Sequence, residues 1–105
     1  RWLKLAAGAK AAVLETAVRA RRPQLVVEVG GYIGYSAVRF GAEVCNWEGE
    51  VISMELDPYI ACIARAVIAE AGLAKEVDLW VGHSELLIPR IKRTHGKAVV
   101  EVAFF

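Results

Sequence analysis

Two acids and a group of glycines have the spacing that could do chemistry in this chain. The stretch "VVEVGGYIGYSAV" (26–38) places Glu28 near the end of an apolar run and follows it with Gly30, Gly31 and Gly34, with Tyr32 and Tyr35 set among them. A second acid, Glu55, closes the apolar run "VISM", and "VGHSELL" places His83, Ser84 and Glu85 directly after Gly82. A carboxylate accepts hydrogen bonds from hydroxyl or ammonium groups, and glycine lets a ligand approach the bare main chain. Acid, glycine turn, acid and polar cluster, in that order, suit a polar ligand held across several strand ends.

The elements that must position these groups follow from the apolar period, which switches between helical spacing and short continuous runs. Residues 5 to 20 predict a helix with Leu5, Ala9, Ala12, Val13, Ala17 and Val18 on its buried face and Lys10, Glu15, Arg19, Arg21 and Arg22 toward water, ended by Pro23. "QLVVEV" (24–29) reads as a buried parallel strand, apolar on both alternating sets of positions. Helical spacing resumes over 35 to 45, and "EVISME" (50–55) is the next strand. Asp57 is then an N-cap with Pro58 at the first helical position; Ile60, Ile63, Val67, Ile68 and Ala71 mark that helix's buried face, and Gly72 stands at its C′ position. A strand over 76–82, a helix over 84–94 containing Pro89 and a strand over 98–105 complete the series. Strands alternating with helices specify an α/β fold: a Rossmann-like, doubly wound, mainly parallel sheet, here its first four strands, with helices on both faces. Its ligand crevice lies at the C-terminal ends of the strands, with the fourth strand beside the first.

Composition limits the partners. The 105 residues suit one domain at most, since domains commonly run ~100–150 residues. The chain begins at Arg1-Trp2 and stops at Phe105 inside an apolar run, so the expectation is the N-terminal part of a single domain, cut at both ends. At 56% hydrophobic and 24% charged it should fold around a core. A net charge of +1 with scattered signs gives no field to gather nucleic acid or an anionic membrane. The longest stretch without charge, between Glu28 and Arg39, is well short of the ~20 residues of a membrane helix, and a cytoplasmic location is expected. Cys45 and Cys62 form no metal-ligand pattern and are expected as buried reduced thiols.

A dinucleotide is the obvious ligand for a first turn of this kind, and the glycines exclude it. Counting G-x-G-x-x-G from Gly30 puts Tyr32 and Tyr35 where the later glycines belong, and counting from Gly31 puts Ile33 and Ser36 there. A tyrosine at the middle position blocks the pyrophosphate. S-adenosylmethionine presents no phosphate: it offers a carboxylate to a helix N-terminus, an ammonium and a sulfonium to nearby acids, and a ribose further along. Glu55, at the end of the second strand, is placed to accept from both ribose hydroxyls, and His83, Ser84 and Glu85 are placed for the adenine. Asp57 is fully explained as a cap. Trp2, Trp47 and Trp80 have no stacking arrangement and are expected as core or cover.

"VVEVGGYIGYSAVR", "ISMELDP", "AGL" and "WVGHSELLIPRIK", in this order and spacing, resemble the catechol O-methyltransferases, small-molecule methyltransferases of the S-adenosylmethionine-dependent class, over nearly the whole chain. The resemblance implies that Glu28, Gly30, Tyr32, Tyr35 and Ser36 surround the methionine end of the donor, with Ser36 as the carboxylate's hydroxyl partner. It places Glu55 and Leu56 at the ribose and His83, Ser84 and Glu85 at the adenine. The chain departs from the family at "AAGAKA", where the family has a Gly-Asp pair near Gly8 and a valine near Ala6, at Glu85 in place of glutamine, and at His83 in place of a small residue. The implied reaction is methyl transfer from sulfonium to the hydroxyl of a catechol or related phenol, with Mg2+ gripping both catechol oxygens and a lysine as base. The metal ligands and the lysine are expected beyond Phe105, so this chain alone is expected to be inactive. Another small-molecule methyltransferase of the same class and a non-catalytic donor-binding module are the alternatives.

Overall fold

A computed structural model describes the backbone of residues 2–4, 9–30, 34–95 and 100–104, and the side chains of 13–30, 34 and 36–94. In chain order the elements are β1 (Trp2–Lys4), α1 (Ala9–Arg21), β2 (Leu25–Val29), α2 (Tyr35–Val44), β3 (Glu50–Glu55), α3 (Pro58–Glu70), β4 (Val77–Val81), α4 (Ser84–His95) and β5 (Val100–Phe104). A short 3₁₀ turn, Cys45–Trp47, follows α2. The sheet runs β1-β5-β2-β3-β4, and every neighbouring pair is parallel. The strand over Val100–Phe104 therefore lies beside β2, as a doubly wound order requires. The additional edge strand β1 is not among the four expected from the sequence: three residues, one of them Lys4, are too few to show a period.

Alternation along each strand builds two cores. Val26, Val51, Val77 and Leu79 point to the side covered by α1, α2 and α3, where Leu14, Val18, Phe40 and Val44 pack on them. Leu25, Val27, Ile52 and Met54 point to the other side, against Leu87 and Ile91 of α4. Phe40 is 1% exposed, and burial of such a side chain stabilises by roughly 1.5–3 kcal/mol.

Two helices bury only part of the face their apolar residues suggest: Val18 and Ile68 point inward as expected, and other expected positions do not. In α3, Ala61, Ala64 and Ile68 are buried, while Ile63 and Val67 are 52% and 38% exposed and Ala71 lies outside the core. The cause is close approach: a Cβ added at Gly34, the residue before α2, would lie 3.1 Å from the Ala64 carbonyl oxygen, so only small side chains fit between these elements. In α1, Leu14 and Val18 are buried and Val13 is 63% exposed. Glu15 and Arg19, expected in water, pair with α2 instead. Arg39 holds Glu15 through two nitrogens, one of them at 2.9 Å, and Arg19 holds Glu43 at 2.6 and 3.1 Å. Cys45 and Cys62, expected to be buried, are both free and exposed. Trp47 and Trp80 pack at the margins of the two cores, Trp47 donating from Nε1 to the Pro23 carbonyl at 2.8 Å.

Asp57 caps α3 as its sequence predicts, its Oδ1 accepting from the Tyr59 amide at 2.9 Å, with Pro58 opening the helix. Gly72, at φ 75°, follows the helix in the left-handed conformation.

Candidate functional site

The C-terminal ends of β2, β3 and β4 open onto a cleft of about 180 Å³. Val29 and Gly30 form one wall, Met54, Glu55 and Leu56 the middle, and Gly82, His83 and Ser84 the other wall. Ligand sites commonly enclose ~300–1,000 Å³, so the described residues enclose one part of such a ligand. Backbone hydrogen bonds set the walls on a common reference: the Gly30 amide donates to the Met54 carbonyl at 2.8 Å, and the Gly82 amide donates to the Glu55 carbonyl at 3.0 Å. Both glycines have positive φ, 77° and 147°, which L side chains rarely adopt, so each strand leaves the sheet just where the cleft begins.

Glu55 is 9% exposed, and its Oε2 accepts from the Asp57 amide at 2.9 Å. That bond holds the carboxylate over the turn between β3 and α3. Leu56, 56% exposed, forms the lip. The His83 carbonyl accepts from the amides of Leu86 and Leu87 at 3.0 Å each, which anchors α4 at the far wall.

Glu28 lies below this cleft, not in its described lining, and is 0% exposed. It shares a face of the sheet with Ser53, its register partner on β3. Ser53 Oγ donates to Glu28 Oε1 at 2.7 Å, and Ser36 Oγ, in the first turn of α2, donates to Oε2. Burial pushes the Glu28 carboxyl above the usual carboxylate range; the Ser36 and Ser53 hydroxyls pull it down, and the Glu55 charge raises it further.

Of the expected site residues, Gly30, Glu55, Leu56, His83 and Ser84 come together around one cleft. Glu28 and Ser36 are bonded to each other, and Glu85 stands exposed in the first turn of α4 outside the described lining. Tyr32 and the side chain of Tyr35 lie outside the described residues. Ser53 was not among the expected residues. Its signal is the alternation of β3, which puts position 53 on the same face as Glu55, in a strand whose remaining buried positions, Val51, Ile52 and Met54, are apolar.

Parallel order, glycine turns at the strand ends and an acid closing β3 define the Rossmann-like architecture of class I methyltransferases. Residues 4–105 match the O-methyltransferase family, and the chain belongs to it. It is 33% identical over 103 residues to the catechol O-methyltransferase of Mus musculus, covering 98% of this chain and 38% of that protein. It is 37% identical over 103 residues to catechol O-methyltransferase B of Danio rerio, covering 98% and 39%. The O-methyltransferase TomG from Streptomyces achromogenes, solved in complex with S-adenosylmethionine, superimposes with a TM-score of 0.79 at 26% identity, over 93% of this chain and 44% of TomG. The chain thus spans less than half the length of these relatives.

Proposed function

We propose that the chain is the N-terminal, donor-binding part of a methyltransferase domain that moves a methyl group from S-adenosylmethionine to a hydroxyl of a catechol-type phenol. The observation that carries the donor assignment is the convergence of Gly30, Glu55 and His83–Ser84 on one cleft whose first turn has no pyrophosphate fingerprint. An acid fixed by the Asp57 amide suits a ribose diol, because a carboxylate offers about four acceptor sites on two oxygens. Gly30 lets the methionine portion approach the main chain, and Ser36 is placed by Glu28 at the same end. Leu56 covers the ribose edge, and His83 with Ser84 borders the adenine.

When bound, the donor supplies a methyl group on a sulfonium. This chain's residues hold and orient it, and exclude water from one side. The names of the mouse and zebrafish relatives support a catechol acceptor. Magnesium is part of the proposal, but among the described residues no group of three His, Cys, Asp or Glu side chains could hold a metal. The reading assigns that ion and the acceptor's base to residues beyond Phe105 and routes no step through them.

The test is calorimetric titration of the full-length protein with S-adenosylmethionine and with NAD, followed by methyl transfer to catechol with magnesium and with excess chelator. Donor binding without NAD binding, and transfer abolished by chelator, is the expected result. NAD binding overturns the donor assignment, and transfer in excess chelator overturns the magnesium-assisted catechol reading.

A further inference from the structure

Glu28 is a buried acid that a ligand contact alone does not account for. It is fully enclosed, both its oxygens are engaged by serine hydroxyls from different elements, and it sits one strand position below the Val29–Gly30 wall. Among the described residues the one charged group acting on it is another carboxylate, Glu55. A buried acid whose one charged neighbour among the described residues is another carboxylate therefore lies below a cleft that, on the donor reading, receives a sulfonium and an ammonium. A buried charge without a counter-ion takes up a proton in preference to remaining ionised.

We propose that Glu28 is a proton-exchanging positioning residue of the donor site, protonated while the cleft is empty and ionised when a cationic donor occupies it. This rests on the donor reading above. In the empty state the carboxyl proton is shared with Ser36 or Ser53, and on binding it leaves to solvent by way of the half-buried Ser36. The ionised carboxylate then receives both serine hydroxyls and faces the donor's positive charge. Methyl transfer removes that charge: the carbon–sulfur bonding pair stays on sulfur, the methyl joins the acceptor oxygen, and the phenolic proton departs. The thioether product has lost the sulfonium, so Glu28 regains its proton and the product is held less strongly than the donor. Discrimination between donor and spent donor is then set by a group that need touch neither.

The experiment is calorimetry of the full-length protein with S-adenosylmethionine and with S-adenosylhomocysteine. Each titration is run in phosphate and in Tris, from about pH 5 to about pH 8, where raised carboxyl groups titrate. Release of a proton appears as heat that differs between the buffers. The donor should release more proton than the thioether, and its affinity should rise by up to about tenfold per pH unit until Glu28 is ionised, while that of the thioether rises less. Glu55 and His83 also border the cleft, so Glu28→Gln separates the sources: the buffer dependence should vanish in it. Ser36→Ala removes a hydroxyl that favours ionisation and should move the release to higher pH. Binding heat independent of buffer, release that persists in Glu28→Gln, or an unmoved profile in Ser36→Ala overturns the inference alone. Absence of any heat with either ligand overturns the donor reading as well.

Discussion

Ser53 stands directly opposite Glu28 in the β2–β3 register, and its hydroxyl donates to the Glu28 carboxylate at 2.7 Å across the strand pair. Neither residue is exposed. The pair therefore works as a polar rivet inside an otherwise apolar face, and it fixes the level at which both strands end under the cleft.

Loss of that hydroxyl should be felt in stability. Ser53→Ala leaves a buried carboxyl oxygen short of a partner, which costs about 1–3 kcal/mol. Urea denaturation should show a lower midpoint with an unchanged slope. An unchanged midpoint would mean that the bond contributes nothing net.

Stability should also depend on pH through Glu28. Its folded carboxyl is raised above its unfolded value, mainly by burial. The stabilisation is therefore fully present below the ordinary carboxylate range, and is lost as pH rises through the raised folded value. Glu28→Gln should remove this decline. The difference between wild-type and variant stability, followed by denaturation across pH without ligand, should shrink or reverse with rising pH, and a constant difference contradicts the assignment. Glu43, which Arg19 holds below its usual range, acts in the opposite direction but is common to both proteins and cancels.

Ribose recognition is assigned to Glu55. Hydrogen bonds to a charged acceptor are worth ~1.5–3 kcal/mol each, so Glu55→Ala should weaken donor binding by at least about tenfold. Calorimetry on the full-length variant decides it, and undiminished affinity would place the ribose elsewhere.

At Gly34 the backbone has φ 87°, and an added Cβ meets the Ala64 carbonyl oxygen at 3.1 Å. Gly34→Ala should cost roughly 1–3 kcal/mol and shift the first turn of α2, which carries Ser36, so donor affinity should fall together with the thermal midpoint. A loss of stability with intact affinity would uncouple the turn from the site.

Cys45 and Cys62 are exposed and unpaired by disulfide. Both should react with a thiol reagent in the native protein, at rates that denaturant changes little. Peptide mapping by mass spectrometry would locate the label, and protection of either until unfolding would contradict its exposure.

Features decided by neighbours in sequence were the ones legible there. The Asp57-Pro58 cap, the Gly72 terminus and the limits of β3 each depend on a few adjacent residues, and each stands where the pattern places it. Of the buried face of α3, Ile68 was legible and Ala61 and Ala64 were not, because Ile63 and Val67 outweigh the alanines in any apolar count, whereas the tight meeting with Gly34 selects small side chains. At the site, the order of acids and glycines was visible. What the sequence concealed was that Glu28 is enclosed, since its hydroxyl partners arrive from positions 36 and 53, Ser53 brought by strand register and Ser36 by the first turn of α2.

The crossed ion pairs between α1 and α2 amount to a registration code. Glu15 and Arg19 are one turn apart on α1, Arg39 and Glu43 one turn apart on α2, and acid meets base at both levels. Were α1 to slide by a single turn, Arg19 would come to Arg39, or Glu15 to Glu43. Apolar ridges alone tolerate such a slip, because one leucine-sized knob resembles the next. The charges do not, so of the neighbouring alignments in which the two helices could dock, only one satisfies both levels.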